Sequence, residues 1–207
     1  MYKIKIGEGS CGISAGAGKI HKLLDEKSNG NYTVRTVGCI GMCFLEPIVD
    51  IYDDDTLIAR LVKVSTDDVD KIISFTESGD MSQINSLVIS DEDKGFLEKQ
   101  TRIALRGCGI TEPESIEDYE KHGGYTALSK VLKTMAPEQV IEEIKTSGLA
   151  GRGGAGFPTW FKWNAARQSV GDEKYLICNA DEGDPGAFMD RAVIEGDPHA
   201  LIEGMLI

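Results

Sequence analysis

The chain has 207 residues, 41% hydrophobic and 27% charged, an ordinary globular composition long enough for one large domain or two small ones. A net charge of −12 argues against a nucleic-acid partner, which needs Lys and Arg to displace counterions from phosphates. No stretch of 18 apolar residues exists and the N-terminus has no signal-peptide core, so neither a membrane span nor export is expected, and the expected location is the cytoplasm.

In chain order, "YKIKI" alternates as a strand and a glycine-rich turn follows it. A helix is predicted from about Gly18 to Glu26, with Ile20, Leu23 and Leu24 on one face. "YTVRTV", "PIVDIY" and "TLIARLV" read as three further strands, with the acidic run at 53–55 as a hairpin turn. "STDDVDKIISF" reads as a helix capped by Ser65 or Thr66, with Val69, Ile72 and Ile73 on its inner face. This β-α-β-β-β-α order makes residues 1–80 a small α/β layered domain. Polar residues and glycines mark 81–95 as a linker. Helical patterns then run over 96–106, 115–122, 124–135 and 137–147; Pro137 stands at a first-turn position and Gly148 just past the end. After a glycine-rich loop comes the apolar strand "KYLIC", in which Cys178 is expected to be packed, and then the acidic loop "NADEGDPGAF". Two helices follow, over about 187–195 and from Pro198. The apolar face of the last one is unfinished at "ALIEGMLI", so the chain is expected to be part of something longer.

Five glycines fall between Gly148 and Gly156. Gly151, Gly153 and Gly156 satisfy the spacing of a dinucleotide fingerprint, but that motif has meaning only after a strand, and here Val140, Ile141 and Ile144 precede it at helical spacing. A nucleotide-triphosphate loop at Gly18-Lys19 fails too, because Ile13 occupies the required glycine position and Ile20 the hydroxyl position. More glycine than a turn requires, with Arg152 and Lys162 nearby, suits a phosphate held by backbone N–H groups. Asn179, Asp181, Glu182 and Asp184 follow after the predicted strand. Facing a phosphate they would repel it, so they suit sugar hydroxyls or a ring N–H.

Five cysteines without a secretion signal argue against a disulfide framework. Cys39 and Cys43 are spaced C-x3-C between flanking glycines, and Cys11 lies in a glycine-rich loop. Buried apolar cysteines and an iron–sulfur site are both open on this pattern, since a cluster ordinarily takes four thiolates. Cys108 reads as a helix-terminal loop residue.

"GLAGRGGAGFPTWFKW", "YLICNADEGDPGAFMDRAVIEGDPHALIEGM" and "GCIGMCFLEPIVDIY" together resemble a known family. It is that of the flavin subunits of electron-bifurcating [FeFe] hydrogenases, NADP-reducing hydrogenase and related formate dehydrogenases, similar in turn to the flavoprotein subunit of respiratory complex I. The resemblance implies a thioredoxin-like [2Fe-2S] domain over 1–80 and a helical segment over 96–147. It implies the first part of an FMN-binding α/β domain over 148–207. It also implies that Gly151, Arg152, Gly153, Gly154, Ala155 and Gly156 wrap FMN, that Lys162 contacts the flavin, and that Phe157 stacks on the nicotinamide nucleotide. Asn179, Asp181, Glu182 and Asp184 would line the flavin and NAD(H), with Glu182 as the catalytic carboxylate. Cys11, Cys39 and Cys43 would hold a [2Fe-2S] cluster, and any [4Fe-4S] centre would belong to a part not present. The implied activity is NAD(P)H oxidation or NAD(P)+ reduction through FMN. The implied partners are a hydrogenase or formate dehydrogenase catalytic subunit and a small [2Fe-2S] subunit. An electron-relay or docking role with a degenerate cluster site is the alternative. Two positions depart from the family: its first cluster cysteine falls on Ile6, and Trp160 stands where a glycine is usual.

Overall fold

The computed structural model describes residues 1–207, all of the chain. Strand β1 (Tyr2–Gly7) leads through two helices, α1 (Ser10–Ala15) and α2 (Ala17–Glu26), to β2 (Tyr32–Val37). Strands β3 (Val49–Asp53) and β4 (Thr56–Leu61) form a hairpin, and α3 (Val69–Ser78) follows. The four strands make one sheet in the order β2-β1-β3-β4. β1 is parallel to β2 from Tyr2↔Tyr32 to Gly7↔Val37, and antiparallel to β3 with Ile4 opposite Ile51. The predicted order is met except that a further helix, α1, forms over Ser10–Ala15 where a glycine-rich turn was expected, and the α/β expectation holds.

Alternation along β1 decides which face is covered. Ile4 and Ile6 point to one side and pack with Ile20 and Leu24 of α2 and with Ile72 and Phe75 of α3. Lys3 and Lys5 point to the other side. There Asp50 and Arg60, on neighbouring strands, join in a fork: Arg60 Nε donates to Asp50 Oδ1 at 2.8 Å and Nη2 to Oδ2 at 2.6 Å. Lys5 Nζ lies 5.0 Å from the Tyr52 ring centroid and donates to the Ile110 carbonyl, so the segment leading to α5 (Ile116–Lys121) covers this polar face. Burial lowers the affinity of Lys5 for its proton, an effect that Asp118 and Asp50 oppose.

Residues 81–89 pack onto the sheet domain. Ile84 is fully buried, and Val62 and Ile89 form backbone hydrogen bonds with Leu87 and Arg60. The helix expected over 96–106 forms earlier, as α4 (Asp91–Glu98), because Ser90 accepts from the Asp93 N–H and three acidic residues occupy the first turn.

The chain divides into two compact units, residues 1–122 with 180–201, and residues 123–179 with 202–207. The first also holds α9 (Met189–Gly196). The second holds α6 (Thr126–Thr134), α7 (Pro137–Ser147) and α8 (Thr159–Gln168). Glu203, on α10 (Pro198–Leu206), accepts from the Tyr125 and Leu128 N–H groups at 2.9 and 3.0 Å and so caps α6. The strand expected at "KYLIC" does not form: Tyr175 and Ile177 are 80% and 81% exposed. A strand needs a ladder partner, and all four strands of the structure lie in the first unit. Cys178, expected to be packed, is exposed for the same reason, whereas Cys108 lies in a turn, as expected of a loop residue, and is fully buried there.

Candidate metal centre and flavin-type loops

Cys11 sits in the first turn of α1, and Cys39 and Cys43 on the connection from β2 to β3. Their sulfurs converge: Cys11 Sγ lies 3.0 Å and Cys39 Sγ 3.7 Å from Cys43 Sγ, and all three lie within 4.8 Å of one another. Gly41, at φ 90°, turns its N–H onto Cys39 Sγ at 3.3 Å. Burial pushes the Cys39 thiol up against that amide's pull. The hydrogen bond from Cys11 to Cys43, then burial, raises Cys11. A metal ion binding here would displace those protons. Three convergent sulfurs without a disulfide fit a thiophilic iron or zinc centre. A fourth cysteine is absent from the group, because the position it would take holds Ile6, fully buried in the helix-side core.

Two further elements close around the cysteines. Glu46 follows Cys43 by three residues, after the 3-10 turn Cys43–Leu45. It is only 8% exposed. Its Oε2 accepts from the Ile48 N–H at 2.8 Å, and its Oε1 is buried with no hydrogen-bond partner. Burial raises its carboxyl to about 7. Helix α9 supplies the other element. Arg191 Nη2 lies 3.8 Å from Cys11 Sγ, and Glu195 accepts from the Ser10 N–H at 2.9 Å and from the Ser10 hydroxyl. The contact is glycine on glycine: a Cβ on Gly38 would fall 2.2 Å from Gly196 Cα, and one on Gly196 would fall 2.8 Å from Cys108 Sγ. Burial lifts the Cys108 thiol to about 11, and Asp197 adds to the shift. The sequence signal for Glu46 was a lone acid inside "CFLEPIV". No local signal marks Arg191 or Glu195, which act across about 180 residues.

The glycine loop follows helix α7, so a dinucleotide fingerprint is excluded by its context. Antiparallel pairing of Ala150 with Pro158 pinches its base, with Gly151 N–H donating to Phe157 O at 2.8 Å and Thr159 N–H to Leu149 O at 3.1 Å. Inside that pinch Gly154 and Gly156 have φ of 80° and 59°, which only glycine adopts freely. A Cβ on Gly153, Gly154 or Gly156 would meet no atom, so the loop presents bare backbone, which fits a phosphate-bearing cofactor. Arg152 and Ala155 are exposed with it. At the start of α8, Lys162 Nζ stands 5.5 Å from the Phe157 ring centroid, Phe157 meets Phe161 edge to face, and Lys145 lies 5.2 Å from the Trp160 ring.

In the acidic loop, Glu182, at φ 48°, accepts from the Asp190 and Arg191 N–H groups at 2.7 and 3.3 Å and caps the start of α9. A Cβ on Gly183 would come within 3.1 Å of an Asp181 carboxylate oxygen, so Asp181 folds back over the loop. The Asp184 carbonyl accepts from the Ala187 N–H at 3.0 Å, and Asn179 lies at the loop's start.

Residues 144–207, the stretch that holds both loops, match the family model of the Nuo51 FMN-binding domain. The chain is 60% identical over 109 residues to the NADP-reducing hydrogenase subunit HndC of Solidesulfovibrio fructosivorans, covering 53% of this chain and 22% of that protein. It is 57% identical over 112 residues to an NADH-quinone oxidoreductase subunit of Aquifex aeolicus, covering 54% and 26%. The chain thus spans about a quarter of the length of the curated relatives it matches. Among solved structures, the thioredoxin-like [2Fe-2S] ferredoxin of Aquifex aeolicus matches 44% of this chain and 98% of its own, at 19% identity and a TM-score of 0.37. An NAD+-reducing [NiFe]-hydrogenase matches 99% of this chain and 34% of its own, at 23% identity and a TM-score of 0.38. The family resemblance drawn from the sequence is borne out. No helix is long and apolar enough to cross a membrane.

Proposed function

We propose that this chain is part of a flavin iron–sulfur oxidoreductase subunit of the cytoplasm. It exchanges hydride between NAD(P)H and FMN and passes single electrons onward within a multi-subunit hydrogenase or formate dehydrogenase. The observation that carries this reading is the match of 144–207, both loops included, to an FMN-binding family. The relative named as an NADP-reducing hydrogenase subunit supports the choice of complex.

In this reading residues 1–80 are the iron–sulfur domain and 148–207 part of the flavin domain, joined through the segment between them. FMN, when bound, supplies the conversion of a two-electron hydride into single electrons. The protein's own part is to bind and orient. The open backbone from Gly151 to Gly156, with Arg152 and Lys162, holds the phosphate, and Phe157 offers a ring to the nicotinamide nucleotide. Asn179, Asp181 and Asp184 meet hydroxyl or ring N–H groups. Glu182 caps α9, which fixes the acidic loop, and it is the catalytic carboxylate of this reading. Cys11, Cys39 and Cys43 ligate the cluster that receives electrons.

The test is flavin content. The complete gene product, purified gently and soaked with FMN, is expected to retain flavin and to bleach on addition of NADH or NADPH. Protein that keeps no flavin after soaking overturns the reading.

A further inference from the structure

The Cys11, Cys39 and Cys43 site has a fourth donor that is not a cysteine. We propose that the carboxylate of Glu46 completes it, as the fourth protein ligand of a two-iron, two-sulfide cluster. This rests on the iron–sulfur reading of the three thiolates given above and goes beyond it by naming the missing ligand and the number of metals.

An orphaned oxygen is the first observation. Glu46 Oε1 is buried and has no hydrogen-bond partner, while Oε2 is engaged by the Ile48 N–H. An unsatisfied buried acceptor is destabilising, more so when charged, and a metal bond removes that cost. The carboxylate's position is the second observation. A Cβ on Gly7 would meet both Glu46 oxygens at 3.2 Å, and one on Gly12 would meet Oε2 at 3.3 Å. Gly7 ends β1 and Gly12 lies in α1 beside Cys11, so the carboxylate lies against the junction that carries Cys11. The 3-10 turn hydrogen bond from Glu46 N–H to the Cys43 carbonyl, 3.3 Å, returns the residue toward Cys43. The third observation is the composition of the donor set. Ile6, where a fourth cysteine would stand, is packed in the hydrophobic core, and Glu46 sits against the very next residue, Gly7.

Charge and geometry then select the metal group. Three thiolates and one carboxylate carry the same formal charge as the four thiolates of an ordinary cluster, which a neutral side chain would not. The three sulfurs lie within 4.8 Å of one another, and the Glu46 carboxylate neighbours Cys39 without being close to all three. One tetrahedral ion, with bonds of about 2.0–2.3 Å, needs four mutually close donors. A two-iron cluster shares its four donors between two metals, so one of them can stand farther from the rest.

The experiment reconstitutes the 207-residue chain with ferric iron and sulfide in the absence of air, so that the oxidised cluster forms without a further oxidant, as wild type, Glu46→Gln and Glu46→Cys. Iron and sulfide are counted per chain and Mössbauer spectra recorded, while circular dichroism and melting of the metal-free forms check folding. Wild type is expected to hold equal iron and sulfide with two inequivalent iron sites. Glu46→Cys should convert these to the near-equivalent pair of an all-thiolate cluster. Glu46→Gln should fold at least as stably as metal-free wild type, yet retain cluster about tenfold less well or worse, the scale of losing a metal-site partner. A Glu46→Gln protein with wild-type iron content and spectrum overturns the Glu46 assignment alone. Wild type binding one metal without sulfide overturns the two-iron form. Folded wild type taking up no iron overturns the cluster reading and this inference with it.

Discussion

The cysteine region and the glycine loop use the same residue for opposite purposes. Around the cysteines, glycines exist because the protein itself fills the space: a Cβ on Gly12 would fall 1.9 Å from the Gly7 carbonyl oxygen, and one on Gly38 would fall 2.2 Å from Gly196 Cα. In the 148–156 loop, a Cβ on Gly153 or Gly154 would meet nothing. The first set of glycines is explained by packing. The second is not: Gly154 and Gly156 answer to their left-handed backbone, while Gly153, which needs neither that conformation nor the space, fits the approach of an external ligand. A glycine-rich sequence therefore announces close approach without saying to what, and only the neighbours decide.

The contrast can be broken or sharpened by mutation. The largest loss is expected at Asp50, whose fork with Arg60 lies in the cysteine-bearing unit. Asp50→Ala leaves a half-buried guanidinium unpaired and should cost about 3 kcal/mol in denaturant unfolding, the low end for a buried pair. Next comes Gly38→Ala, where backbone meets backbone: a cost of about 1–3 kcal/mol is expected, seen as a lowered melting temperature. The matching change in the other region, Gly153→Ala, should alter the stability of the flavin-free protein by less than about 0.5 kcal/mol, with little movement of its melting temperature. It should nonetheless weaken FMN retention. A Gly153→Ala loss as large as that of Gly38→Ala would erase the distinction between the two regions. The smallest effect is at Glu182, where Glu182→Ala removes a cap on α9 worth about 1 kcal/mol. Hydrogen exchange at Asp190 and Arg191 should quicken, and unchanged exchange would show that the cap contributes nothing.

Much of this was legible in the sequence, for reasons the structure makes plain. Strict alternation in "YKIKI" marked which residues meet the helices, since Ile4 and Ile6 must share a face. The three cysteines were legible as a set because glycines flanked each. "KYLIC" misled because apolar, β-favouring composition describes a strand's needs but not its partner. The helix at 91–98 starts ahead of its apolar residues: Phe96 and Leu97 fall late in it, and the Ser90 cap sets the true start. Burial of Cys108 was invisible, since Ala192 and Gly196 that enclose it come from more than 80 residues away. Glu46 was missed because its meaning lies in the absence of a partner, which a sequence does not record.

The proposed function requires that one chain join a flavin loop to a cysteine-held cluster, and one measurement reaches this most directly. The complete gene product, loaded with FMN, is reduced with NADH or NADPH while flavin absorbance and low-temperature EPR are followed, for wild type and Cys39→Ala. Flavin bleaching is expected in both, with loss of one cluster signal in Cys39→Ala only. Flavin that stays oxidised under either nucleotide, or an EPR spectrum identical in the two proteins, would contradict it.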